Sequence, residues 1–132
     1  MIIEQALLTE LLAFTGLTTL IGEKIYYVNA PQDVIAPYIV MTKISSVREH
    51  SHQGSSGLAT ARFQFSIFST TYYEAKQIAE QIQLAIDGKN EIIGTSPGVQ
   101  AAILYENETD FYEPDPVNFF HIAVDYFVKH NE

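Results

Sequence analysis

Two stretches hold the side chains with the most chemical potential. Glu106, Glu108, Asp110, Glu113 and Asp115 place five carboxylates within ten positions. Oxygen ligands of this kind suit a hard divalent cation. Their spacing follows no calcium-loop pattern, and a glycosidase pair needs a defined separation with one carboxyl held protonated. The expectation is a solvated, acidic hairpin loop. His50 and His52 stand two apart, so on an extended chain both point the same way. Imidazoles so placed could serve a metal or a pH switch, but zinc sites use other spacings, and an ordinary exposed pair is expected. His121 lies in a β-prone run with no Ser or Cys partner indicated, which makes it a sheet residue rather than a base. His130 is expected to be solvated near the end of the sequence.

Other chemistries are excluded by composition and motif. No cysteine is present, which removes disulfides, thiolate metal sites and thiol nucleophiles. No Gly-Lys-Ser/Thr, HExxH or GxGxxG motif occurs, so no cofactor is indicated. The formal net charge is −9, from 16 acidic and 7 basic residues. Lys24, Lys43, Arg48, Arg62, Lys76, Lys89 and Lys129 are scattered. Gripping a phosphate backbone needs clustered cations, so no tight nucleic-acid partner is expected. Met1–Leu12 is apolar but carries Glu4 and Glu10 and lacks a basic flank. The apolar runs fall far short of the roughly 20 residues that span a bilayer, so neither a signal peptide nor a membrane partner is expected.

The elements that must position these residues follow from periodicity. Ile3, Leu7 and Leu11, with Leu8 and Leu12 beside them, predict a helix over 2–14, with Gly16 as its stop signal. A short turn or second helical piece follows through Ile21. Ile25–Val28 is a short β-prone run, and Pro37 sets an extended start to a strand over 38–45. Ser46–Gly57 reads as a polar, mobile connection. Leu58–Phe68 alternates cleanly, with Ala61, Phe63, Phe65 and Ile67 on one side. Thr71 and Glu74 form a capping-box match ahead of a helix. Ala75, Ile78, Ala79, Ile82, Ala85 and Ile86 make its apolar stripe, and Gly88 ends it. Residues 89–98 read as a loop, 99–106 as a strand, 107–116 as an acidic, turn-rich loop, and 117–128 as the last strand. The expected fold is one α+β domain over residues 1–132. It is a mainly antiparallel sheet of about four long strands with two helices packed on one face. Eight Tyr and eight Phe mostly fall at core positions. Tyr72, Tyr73, Phe111, Tyr112 and Phe119 fit the core less easily and point to a protein interface.

Three stretches together carry a resemblance. The first runs from Ile25-Tyr26 through Ala30-Pro31-Gln32 to Pro37-Tyr38-Ile39-Val40. The second runs from His50 through Gly54 and Ser56-Gly57-Leu58 to Ala61-Arg62-Phe63-Gln64. The third runs from Phe68-Ser69-Thr70-Thr71-Tyr72-Tyr73-Glu74-Ala75 through Ile78-Ala79 to Ala85-Ile86-Asp87-Gly88. In order and spacing, over residues 7–88, the chain resembles the tail-completion, tail-to-head joining or tail-terminator proteins of long-tailed phages and prophages. It departs from a common variant of that family, which has Trp where Phe68 stands. The resemblance implies no catalytic residues. It implies a hexameric ring of this chain on the finished tail tube, with the tail-tube protein and a head connector or head-closure protein as partners. The location implied is the virion tail, after synthesis in the bacterial host cytoplasm. Loops on a rigid scaffold tend to carry function, so the expected interaction residues are Arg48, Glu49, His50, His52, Gln53, Ser55, Phe111 and Tyr112. Two alternatives stand beside this reading: another head-closure or minor tail or neck subunit, and a small metal-dependent enzyme built on residues 106–115.

Overall fold

The computed structural model describes residues 2–51, 54–114 and 118–131. The chain runs α1 (Ile3–Leu12), α2 (Thr15–Ile21), β1 (Ile25–Tyr27), β2 (Tyr38–Ser51), β3 (Gly54–Ser69), α3 (Tyr72–Ile86), β4 (Asn90–Ile93), β5 (Val99–Glu113) and β6 (Phe119–Asn131). The strands form one sheet in the order β1-β2-β3-β6-β5-β4. β1 runs parallel to β2, and every other neighbouring pair is antiparallel.

The fold class therefore needs correcting. It is α+β, but among the described residues it has six strands in a mixed, curled sheet and three helices, where about four antiparallel strands and two helices were expected. Three short elements account for the difference. β1 joins the sheet parallel because the long segment between Val28 and Pro37 returns the chain to the same end before β2 starts. β4 is a four-residue edge strand with a single buried side chain, Ile93, so it gives almost no periodic signal. α2 is seven residues long, rich in Thr and without a side-chain cap. Packing makes it a helix, since Leu17 and Ile21 are fully buried. Gly16 lies inside α2 rather than stopping α1.

The two polar connections are also strand. Of the 46–57 segment, expected as a loop, residues 46–51 continue β2 and 54–57 begin β3 as a paired ribbon, with Ser46 opposite Ala61 and His50 opposite Ser55. The 107–116 segment is strand as far as Glu113, with Asn107 opposite Asp125 and Glu113 opposite Phe119. Strand outside the core has no buried face, so the apolar alternation that marks a strand is missing there.

All three helices cover one face of the sheet. α3 buries Ala75, Ile78, Ala79, Ile82, Ala85 and Ile86, the stripe expected from its spacing. They meet Phe63, Phe65 and Ile67 of β3 and Ile122, Val124, Tyr126 and Val128 of β6. The cap of α3 is built differently from a reciprocal box. Thr71 accepts from the Glu74 amide at 3.2 Å, but Glu74 accepts from the Ser69 hydroxyl at 2.7 Å, and that hydroxyl takes the Thr71 amide at 3.2 Å. The buried Ser69 thus relays the second half of the cap.

Candidate functional site

The expected interaction residues separate into two groups. Arg48 faces Ala59 and His50 faces Ser55 in the ribbon, with a register shift between them at Glu49. His52 and Gln53 lie outside the described residues, and Ser55 sits opposite His50. Phe111 and Tyr112 lie on β5, opposite His121 and Phe120. The register runs from the Phe68–His121 row to the Ala59–His130 row, which puts the groups about 30 Å apart at opposite ends of the sheet. They fall into two separate areas rather than one. Phe111, Tyr112, Tyr72 and Tyr73 are exposed, as the aromatic surplus suggested, while Phe119 is half-buried in edge contact with Tyr38.

The acidic stretch is engaged from within. Lys76 of α3 donates to Glu108 at 2.6 Å and to Asp110 at 2.8 Å, and the Tyr72 hydroxyl donates to Asp110 at 2.7 Å. Burial disfavours the Lys76 ammonium, but the hydrogen bonds with Asp110, Glu108 and Tyr72 outweigh it and hold its pKa well above the usual lysine value. The Lys76 hydrogen bond, aided by Tyr72, holds Asp110 below the usual carboxylate range. Among the described residues no cluster of His, Asp and Glu has the arrangement of a metal site. Sequence reasoning missed this lysine. Its signal is present as helix periodicity, since Tyr72 and Lys76 stand four apart on one side of α3.

The face away from the helices carries two further constellations. Across its end runs an aromatic ladder on four strands. Tyr38 stacks on Phe68 at 4.9 Å, Phe68 on His121 at 4.3 Å, and Phe111 leans on His121 at 5.3 Å. Burial holds His121 below the ordinary histidine pKa, with Glu113 opposing weakly, and its Nε2 is buried without a hydrogen-bond partner. Further along, the nearly buried Asp125 accepts from Arg62 at 2.6 and 3.1 Å and from Gln64 at 3.1 Å. Glu106 adds a looser ion pair to Arg62 at 3.3 Å. The alternation that leaves His121 and Asp125 off the core face is the signal that could have found both.

A site made of stacked rings, internally satisfied charges and two exposed strand arms is suited to holding other proteins. Residues 5–130 match the family model described as tail completion protein gp17. The chain belongs to that family. The resemblance drawn from its motifs holds, and it extends across the C-terminal third. The family places the chain among structural proteins of the phage tail. A chain in the solved structure described as the virion of native gene transfer agent (GTA) particle has the same fold, with a TM-score of 0.80. The two chains are 14% identical, and the match covers 98% of this chain and 95% of that one. No curated protein matches the chain. Among the described residues no helix is long and apolar enough to cross a membrane.

Proposed function

We propose that the chain ends the phage tail tube as a six-membered ring of identical copies and joins it to the head connector. Family membership over residues 5–130 carries this reading. The role is structural rather than enzymatic, and the engagement of Glu108 and Asp110 by Lys76 supports that. The ribbon end, with Arg48, Glu49, His50, His52, Gln53 and Ser55, contacts a neighbouring copy or the tube. Phe111 and Tyr112 contact a second protein surface at the other end. The chain is made in the bacterial host cytoplasm and ends in the virion tail.

The test is complementation. Tails made without this protein should lack the terminal ring and fail to join heads, and adding the purified protein should restore both. Size measurement of the protein alone and on isolated tubes gives the copy number. Deleting 53–56 should leave the fold intact, because the core of β3 begins at Ala59, and should impair joining. Normal head joining without the protein would overturn the reading. A ring that binds heads but never tubes would move it to a head-closure subunit.

A further inference from the structure

The sheet has an uncovered margin on each side. On one side β1 pairs with Ile39–Met41 of β2 alone. Among the described residues no strand pairs with the outer side of β2 from Thr42 to Val47, and Lys43–Val47 are exposed. On the other side β4 pairs with Val99–Ala102 of β5. Backbone bonds to Gly88 and Lys89 and the Asp87 carboxylate extend that cover to Tyr105. Among the described residues no strand pairs with the outer side of β5 from Asn107 to Glu113. Strand margins of this length are templates for adding another strand.

Three observations choose a second copy of this chain as the occupant. First, direction fits. β2 and β3, β3 and β6, and β6 and β5 are each antiparallel, so β5 runs opposite to β2. Copies related by rotation about an axis near the strand direction therefore bring β5 of one beside β2 of the next as an antiparallel pair, with the same sheet face on the same side. Second, charge fits. The β5 margin holds Glu106, Glu108, Asp110 and Glu113 against Arg62 and Lys76, four acids to two cations. Two such margins facing each other would repel. The β2 side holds Lys43 and Arg48 against Glu4 and Glu49, two of each. Third, apolar side chains wait on both margins, Ile44 and Val47 on one and Phe111 and Tyr112 on the other, all exposed.

We infer that the Asn107–Glu113 margin of β5 pairs antiparallel with the Thr42–Val47 margin of β2 from a second copy, making the sheet continuous from subunit to subunit. This rests on the reading of the chain as a repeating subunit. Such a contact is head-to-tail, the kind that builds rings. The two margins are offset along the strands, so pairing them tilts the strands against the ring axis, as closure of a barrel does.

The chain has no cysteine, which makes cross-linking direct. Val47→Cys is combined in turn with Asn107→Cys, Thr109→Cys and Phe111→Cys, all exposed positions on the face away from the helices. Within one chain β2 and β5 are three strand spacings apart, about 14 Å, beyond disulfide reach. Each double variant is oxidised as concentrated protein and on tail tubes, with assembly size measured in parallel. At least one pair should give a ladder of dimer, trimer and higher species on non-reducing gels, and the single variants should give none. Normal assembly without cross-links from any pair would overturn the edge pairing and leave the ring standing. Dimers from Val47→Cys or Thr109→Cys alone would show like edges meeting and would also overturn it. Absence of any oligomer, alone or on tubes, would remove the ring and the pairing together.

Discussion

The Lys76 ammonium on α3 lies 2.6 Å from the Glu108 carboxylate on β5, across a sequence separation of 32. This contact and its branch to Asp110 fasten the outlying half of β5 to the helix layer. Lys76→Met should cost about 1 kcal/mol, a modest value because the pair is partly exposed. Asp110 supplies a pH signature. Its folded pKa lies below the ordinary value through Lys76 and Tyr72, so the unfolded chain takes up the proton first as pH falls. The stabilisation is present above about pH 4 and lost as pH falls through the depressed value. Urea midpoints between pH 5 and 3 should fall less steeply in Lys76→Met. An unchanged acid limb in that variant would discard the account.

The third helix offers two stability measurements. Thr71→Ala should cost about 1 kcal/mol through the lost cap. Ile82 is fully buried, and Ile82→Ala should cost roughly 2–5 kcal/mol through the cavity it leaves. Denaturant unfolding at neutral pH reads both. Neutral behaviour of Ile82→Ala is incompatible with this packing.

His121 should make the protein acid-sensitive near neutrality. Burial depresses its folded pKa, so below about pH 6.5 the unfolded chain binds a proton that the folded chain refuses. Stability should therefore drop as pH falls through that region. His121→Phe keeps a ring between Phe68 and Phe111 and removes the titration. The melting temperature should decline less from pH 8 to 5.5 in His121→Phe than in the parent protein. Parallel declines would mean that His121 is not the titrating group.

These networks were only partly readable in the sequence. Helix α3 and the faces of β3 and β6 could be read because one side of each is buried and the spacing of apolar residues records it. Residues 46–48 and the outer half of β5 have no buried side, so polar composition disguised strands as loops. β4 and α2 are too short to show a period. The Phe111–His121 contact depends on register between strands, which no single segment encodes. The candidate interaction residues could be singled out one by one, but nothing local says that they fall at opposite ends of the sheet.

Duplex DNA should not bind. Lys43, Arg62, Lys76 and Lys89 each sit in an ion pair with Glu or Asp, which removes four of the seven cations from any phosphate-gripping surface. Six copies would carry six times −9, or −54, in formal charge. Fluorescence anisotropy with a short labelled duplex should show no binding at physiological salt and little more at low salt. Salt-sensitive binding in the micromolar range would contradict this.

The pairing of β3 with β6 joins the β1–β3 half of the sheet to the β4–β6 half. Its register matches Leu58 with Asn131 and Ser69 with Phe120, so every contact along it spans a long stretch of chain. The β2–β3 and β5–β6 hairpins can form locally, but this seam must wait for a large loop to close. During synthesis β3 therefore stays open along one side until β6 has been made. The vulnerable interval in the life of each copy is the time before that seam zips, when the strand carrying Phe63, Phe65 and Ile67 is available to any other chain.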